Sequence, residues 1–222
     1  MSSLFAMRRS EFHDEMPPAW PPLPVAPRRA GRPAVFIDKD DTLVQHVPDG
    51  VDPARLSFVP GALAALAALA TAGHALIVVT NQSGLALGSF TRAQFAQMQA
   101  ALLRRLQQEA GVVLQDFVVC PHAPGLAGRP ACLCRKPAPG LLLRAARMHN
   151  LDLGASWMVG DVLDDVEAGR RAGCRALLLD TGGETAWRMT PMRQPHARCS
   201  SWDEVASHIL ENAPAAPAVA LS

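Results

Sequence analysis

The chain has 222 residues, with 21 lysines and arginines against 20 aspartates and glutamates, a net charge of +1. That length suits one domain with a single core, and the balance speaks against a nucleic-acid partner, which would call for a basic surplus. No apolar run is long enough to cross a membrane, and residues 1–30 lack the apolar stretch of a secretion signal, so a cytoplasmic monomer with no membrane partner is expected.

Residues 1–32 contain Pro17, Pro18, Pro21, Pro22, Pro24 and Pro27. Such a run forms no helix and carries little apolar mass, so it reads as an extended or disordered tail, with Arg28, Arg29 and Arg32 solvated. The folded domain is expected over 33–212, and the alanine- and proline-rich residues 213–222 read as a second loose end. Ala34–Ile37 is a short apolar run closed by acids, hence a buried strand. Gly61–Ala72 is an alanine/leucine helix stopped by Gly73, and Ala75–Val79 is the next strand. Thr91 caps a helix that runs to about Ala110, with Gly111 as its stop. Phe117–Val119 is a strand leading into Cys120. Pro139 opens a helix to about Asn150, Ser156–Val159 is a strand, and Leu163–Ala172 is a helix ended by Gly173. Ala176–Leu179 and Ser201–Glu211 complete the pattern as a strand and a last helix. Apolar strands alternating with helices predict an α/β fold: a doubly wound, Rossmann-like parallel sheet covered on both faces. Ligands gather at the carboxyl ends of such strands. Asp38, Thr80, Cys120 and Gly160-Asp161 all stand at predicted strand ends, which puts the polar chemistry on one edge.

Asp38 and Asp40 are separated by one residue, Lys39, at the open end of a strand, where two carboxylates repel each other unless a cation or proton intervenes. Mg²⁺, a hard ion that takes oxygen ligands, is the natural solution. Asp161 is a third carboxylate, and Asp164 and Asp165 follow one helical turn on. Each alone is also explained as a cap or a first-turn acid. Cys120-Pro-His122 and Cys132-Leu-Cys134 are two short pairs joined by a loop, and four such donors are the usual number for a closed tetrahedral zinc site. A redox pair or a nucleic-acid finger are the other readings, but the strand-helix context of the first and the recognition helix of the second are missing. Arg135 and Lys136 come next, so the metal loop, 120–136, would hold two cations over an anion. Cys174 and Cys199 read as reduced, buried thiols. His46 and Asp52 either line the pocket or belong to the loop surface. His74 reads as structural, Met98, Phe90 and Phe95 as core, and Arg104 and Arg105 as a solvated helix face.

The pattern of strand-Asp-x-Asp-x-Thr, strand-Thr, Lys-Pro before a helix, and strand-Gly-Asp-x-x-x-Asp resembles the four-motif signature of the haloacid dehalogenase superfamily of phosphohydrolases, over residues 34 to about 180. The resemblance implies Asp38 as nucleophile, forming an aspartyl-phosphate, and Asp40 as the acid and base. It implies that Thr80 and Lys136 hold the phosphoryl group, and that Asp38, Asp161 and the carbonyl of Asp40 bind Mg²⁺. No insert is long enough for a large cap domain, so the zinc-bound loop would enclose substrate instead. More narrowly, Thr80-Asn81-Gln82-Ser83-Gly84, Gly88-Ser89-Phe90-Thr91 and the Cys-Pro-His…Cys-x-Cys-Arg-Lys-Pro loop resemble the D-glycero-D-manno-heptose 1,7-bisphosphate 7-phosphatases of heptose nucleotide synthesis for lipopolysaccharide and surface glycans. This implies a small sugar-phosphate substrate, with Asn81, Ser83, Asp41 and Arg135 as candidate contacts. Histidinol-phosphate phosphatases share the zinc loop and stay open as the rival enzyme; a catalytically silent phosphate-binding module is the rival of another class. Three positions depart from the pattern. Asp41 replaces a common glycine, for which an altered turn without loss of activity is expected. Leu87 and Val162 stand where the heptose family commonly carries a basic residue, which leaves a second phosphate held less firmly or by Arg135 alone and keeps a monophosphate substrate open.

Overall fold

A computed structural model describes residues 31–46, 51–125, 132–180, 182–183 and 188–212. Residues 1–30 of the predicted N-terminal tail, the C-terminal tail (213–222) and residues 126–131 of the metal loop lie outside the described residues. Arg32, expected as a solvated part of the tail, instead belongs to the folded domain: it forms a β-bridge with Leu151, and its guanidinium donates to the carbonyls of Gly73 at 2.8 Å and His74 at 3.2 Å. Ala34–Ile37 form β1, and Ala62–Thr71 form α1. Then come β2 (Ala75–Asn81), the single turn α2 (Gly84–Leu87), α3 (Arg92–Ala110) and β3 (Asp116–Cys120). The second half has α4 (Gly140–His149), β4 (Trp157–Gly160), α5 (Leu163–Ala172), β5 (Arg175–Leu179), β6 (Ala197–Cys199) and α6 (Trp202–Glu211).

The strands make one six-stranded sheet in the order β3-β2-β1-β4-β5-β6, and every pairing is parallel. Side chains alternate across a strand, so β1 feeds two cores at once. Val35 and Ile37 join Leu66 of α1, Leu102 of α3 and Trp202 of α6 on one face. Ala34 and Phe36 join Leu141 of α4 and Leu163 of α5 on the other. This is why the strands read as continuous apolar runs, and it is the doubly wound sheet the pattern predicts. The chain leaves β1 toward β2 on one side and returns beside β1 as β4. The topological switch point therefore lies between β1 and β4, and the crevice beyond it is where ligands bind in such sheets.

Most helix boundaries agree with the punctuation in the sequence. Thr91 and Gln94 form a reciprocal capping box at the start of α3, with Gln94 N donating to Thr91 Oγ1 at 3.2 Å and Thr91 N donating to Gln94 Oε1 at 2.8 Å. Three features of this part of the fold differ from expectation. β2 runs on through Thr80 and Asn81, which pair with Val119 and Cys120, so Thr80 is inside the strand and not beyond it. β6 was not expected: three residues pairing only with β5 at the sheet edge carry too short a pattern to register as a strand. Arg105 is also no mere solvated residue. Its guanidinium lies 5.0 Å from the centre of the Phe58 ring and donates to the carbonyl of Leu56 at 2.5 Å, tying α3 to the loop ahead of α1.

The last helix reaches back to the first motif. Trp202 is fully buried, and its Nε1 donates to the carbonyl of Thr42 at 2.8 Å. Trp202→Ala is expected to lower the unfolding free energy by about 3–5 kcal/mol in urea denaturation. Trp202→Phe, which keeps most of the packing but leaves that buried carbonyl unpaired, is expected to cost about 1–3 kcal/mol.

Candidate active site

β1 ends at Ile37, and Asp38 follows with its amide donating to Val159 of β4 at 2.9 Å, so the first carboxylate sits at the switch point. β4 ends at Gly160 and Asp161 follows. Thr42 links the two strand ends: its hydroxyl donates to Asp161 Oδ1 at 2.8 Å. Gly160 itself makes room for a further carboxylate. A Cβ at that position would lie 2.2 Å from Asp165 Oδ2, so only glycine lets the first turn of α5 close over the strand end.

Asp165 is completely buried and pairs with Lys136 Nζ at 2.6 Å. Lys136 also pairs with Asp38 Oδ1 at 2.5 Å and donates to the carbonyl of Val79 at 3.0 Å. One buried ammonium thus bridges the carboxylates that follow β1 and β4. Sequence reasoning left Asp165 among first-turn acids. The signal was the second aspartate of Gly-Asp-x-x-x-Asp, four residues beyond Asp161 and so on the same face of the turn. Its neighbour Asp164 turns away, to Arg193 at 2.6 Å.

Carboxylate oxygens of Asp38, Asp161 and Asp165 lie within 4.8 Å of one another. Burial, with the charge of Asp38 behind it, pushes the Asp161 carboxyl up to about 6, against a hydrogen bond from Thr42. Burial pushes the Asp38 carboxyl up as well, against the pull of Lys136 and with the charge of Asp40 adding to the rise. Lys136 is held protonated: the two adjacent carboxylates outweigh the cost of its burial. Burial raises Asp165 too, to about 8, against the pull of Lys136, and with all three acids ionised the group would lack two positive charges. A divalent ion with oxygen ligands fits that deficit and that spacing.

The remaining predicted residues fall on the same edge. Thr80 is buried and Gln82 Nε2 donates to its hydroxyl at 2.9 Å. Asn81 is taken up by Lys136: Nδ2 donates to the Lys136 carbonyl at 3.2 Å, and Oδ1 accepts the Lys136 amide at 3.1 Å. Ser83 precedes α2 and its side chain makes no capping bond. Asp41 has φ +55°, the left-handed region that favours glycine, and its carboxylate accepts the amide of His46 at 2.9 Å. An aspartate tolerates that conformation better than most residues, which explains how it replaces glycine there. His46 is exposed, and Asp52 caps a short turn at 53–55.

The Cys/His cluster stands beside the site. Cys120 ends β3 next to Asn81 of β2. The sulfurs of Cys120, Cys132 and Cys134 lie 3.3–3.6 Å apart, and His122 Nδ1 lies 3.2 Å from Cys134 and 3.5 Å from Cys120. Ligand atoms about 2.1–2.3 Å from a tetrahedral zinc would be separated by roughly 3.5–3.8 Å, so the donor set fits that ion. Burial raises the Cys134 thiol to about 12, with the neighbouring sulfurs adding to the rise. Burial also opposes ionisation of Cys132, but the amide of Arg135 and its other hydrogen bonds prevail and bring it down to about 7. The Arg135 amide donates to Cys132 Sγ at 3.3 Å, and its guanidinium to the His122 carbonyl at 3.3 Å. The cluster therefore anchors Arg135, immediately ahead of Lys136.

Comparison with known proteins accords with this geometry. A family model described as HAD-hydrolase-like matches residues 133–205. The D-glycero-β-D-manno-heptose-1,7-bisphosphate 7-phosphatase of Haemophilus ducreyi is 37% identical over 162 residues, which cover 69% of this chain and 86% of the relative. The chain belongs to this phosphatase family. The enzyme of the same name from Escherichia coli K12 is 41% identical over 61% of this chain and 72% of its own. Among solved structures, a D,D-heptose 1,7-bisphosphate phosphatase from B. bronchiseptica, in complex with magnesium and phosphate, superposes with a TM-score of 0.67 at 31% identity, covering 82% of this chain and 99% of that one. A HAD-like phosphatase from Mesorhizobium loti gives a TM-score of 0.71 at 33% identity, covering 84% and 90%.

Like that family, the chain is a phosphatase built on the haloacid dehalogenase-like fold, and no cap domain is present among the described residues. No helix among them is long and apolar enough to cross a membrane. Its departures sit at the rim: Leu87 is 67% exposed at the end of α2, and Val162 lies between Asp161 and α5. Gly160→Ala, by driving Asp165 off its place beside Lys136, is expected to lower phosphatase turnover by about a hundredfold, measured as kcat on a protein whose circular dichroism is unchanged.

Proposed function

We propose that the protein hydrolyses the 7-phosphate of D-glycero-D-manno-heptose 1,7-bisphosphate through an aspartyl-phosphate on Asp38. The observation that carries the reading is the buried Lys136 ammonium between Asp38 and Asp165, in a chain 37–41% identical to enzymes of that name. A lysine costs several kcal/mol to bury unless its charge is answered, and here it is answered by the group that would attack phosphorus.

In this reading Asp38 attacks the phosphoryl group while Lys136 holds the nucleophile in place and offsets the charge of the phosphoryl oxygens. Thr80, buried beside them, holds a further oxygen through its hydroxyl, and Asn81 fixes the main chain of Lys136. Asp40 gives a proton to the departing sugar oxygen, then takes one from the water that releases phosphate from Asp38. Splitting one displacement into two lowers the barrier of each, and most of the remaining gain comes from positioning and electrostatics. Asp38, Asp161 and the main-chain carbonyl of Asp40 would hold magnesium, which supplies the positive charge that lets a phosphate dianion approach a carboxylate. Cys120, His122, Cys132 and Cys134 would hold zinc in a structural role, and Arg135 would meet the second phosphate, with Ser83 and Asp41 nearer the sugar. None of the five cysteines is in a disulfide, and three belong to the metal-spaced cluster, which supports a reducing, cytoplasmic place of action.

Purified protein assayed against the heptose bisphosphate, histidinol phosphate and a panel of sugar monophosphates is expected to favour the heptose bisphosphate in kcat/KM; a large preference for histidinol phosphate would sink the assignment. Asp38→Asn is expected to abolish turnover, and full activity in that variant would show that the nucleophile lies elsewhere. For the cluster, Cys132→Ser is expected to lose stoichiometric zinc by metal analysis and to melt at lower temperature; unchanged zinc content would show the cluster to be misread.

A further inference from the structure

Asp40 carries the proton in both halves of the proposed reaction, yet it follows the strand on a turn and its side chain is 30% exposed. A carboxylate in that position would ordinarily sample several rotamers. Here each of its oxygens has a separate partner. Oδ1 pairs with the ammonium of Lys39, and Oδ2 accepts from Gln82 Nε2 at 2.9 Å. Gln82 is itself pinned: Nε2 also donates to Thr80 Oγ1 at 2.9 Å, and its amide donates to the carbonyl of Cys120 at 2.8 Å. Lys39 is buried to 2% exposure, and Asp40 is its ion-pair partner among the described residues. A small pocket beside the pair, about 20 Å³ and lined by Lys39, Asp40, Gln45, Asp52 and Arg55 among others, has room for about one water. Lys39 therefore meets Asp40 from the buried side of the turn.

We propose that Lys39 and Gln82 are positioning residues that hold the Asp40 carboxylate in one orientation for proton transfer. The inference rests on the roles of Asp38 and Asp40 given above. In the first step the Asp38 oxygen forms a bond to phosphorus, the bond from phosphorus to the sugar oxygen breaks, and Asp40 gives that oxygen its proton. In the second, water forms the new bond to phosphorus, Asp40 takes the water's proton, and the Asp38–phosphorus bond breaks to free phosphate. A misdirected Asp40 harms the first step only when the leaving group needs the proton.

That dependence separates positioning from support of the fold. kcat/KM reports events up to release of the leaving group, so it is compared for the heptose bisphosphate, a poor leaving group, and for 4-nitrophenyl phosphate, whose phenolate departs without a proton. Lys39→Met and Gln82→Leu are each expected to lower kcat/KM for the sugar phosphate by about tenfold or more, and for the aryl phosphate by less than about threefold. Lys39→Arg, which keeps the charge, is expected to restore the wild-type ratio between the two substrates. Asp40→Asn serves as the reference and should change the ratio further in the same direction. An equal fall on both substrates, or no fall on either, in a folded Lys39→Met or Gln82→Leu protein would overturn the positioning role while leaving the Asp40 assignment standing. No change of ratio in Asp40→Asn would overturn that assignment, and the positioning role with it. Wild-type protein without activity on either substrate would overturn the proposed function first. If Lys39→Met fails to fold, Gln82→Leu decides the question alone.

Discussion

Two buried carboxylates, Asp38 and Asp165, around one buried ammonium, with the half-buried Asp161 beside them, are the constraint on which the rest of the structure turns. An isolated lysine in a protein interior would shed its proton, and an isolated aspartate would take one up. Here Lys136 keeps its proton, because it sits within 2.6 Å of both Asp38 and Asp165, while burial still pushes both carboxyls up. The arrangement is still short of positive charge, which is what makes it a site and not a closed salt bridge. A fully balanced buried pair would give up little by remaining empty of ligands. A deficit of two charges favours a divalent cation, and with the cation in place an anionic substrate is no longer repelled.

Such a cluster needs its members delivered from three separate stretches of chain, and the fold supplies them with little freedom. Asp38 and Asp161 come from adjacent parallel strands on either side of the switch point, so their spacing follows from the sheet itself. Asp165 reaches the site because Gly160 has no side chain in its way. Lys136 has no strand to place it. It arrives on a loop, held by Asn81 at its own peptide groups and by the Cys/His cluster just upstream. A second glycine serves the same loop: a Cβ at Gly140 would lie 2.1 Å from the carbonyl of Leu133, to which the Gly140 amide donates at 3.1 Å. The metal-spaced cluster is thus a substitute for secondary structure where the chain has none.

The sheet and the order of its helices were legible because burial on both faces writes itself into the composition of β1, β2, β4 and β5 as unbroken apolar runs. β6 was not, since three residues at an edge contribute only Ala197 and Cys199 to the core. The site divides in the same way. Asp38, Asp161 and Lys136 stand where strand ends and a Lys-Pro step announce them. Asp165, Asn81 and Gln82 act through partners far away in sequence: Asp165 meets Lys136, Asn81 brackets Lys136 from 55 residues away, and Gln82 meets Asp40 across 42. A local pattern cannot show whether an aspartate in a first helical turn faces the macrodipole or a lysine. Asp164 and Asp165 are adjacent and alike in sequence, and only the direction of the helix face sends one to Arg193 and the other into the core.

The C-terminal helix shows how far the constraint extends. α6 touches none of the charged groups, yet the indole of Trp202 fixes the carbonyl of Thr42, and the hydroxyl of Thr42 fixes Asp161. Thr42 also follows directly on Asp41, whose left-handed backbone turns the chain so that Asp40 and Thr42 serve the same site. The invariant demand is geometric: a carboxylate that must meet a cation within tenths of an ångström needs its own backbone held from behind. In this fold that support comes from hydrophobic packing on the α1/α6 face of the sheet. Loss of packing there therefore loosens the Thr42 carbonyl and, through the Thr42 hydroxyl, the carboxylate of Asp161.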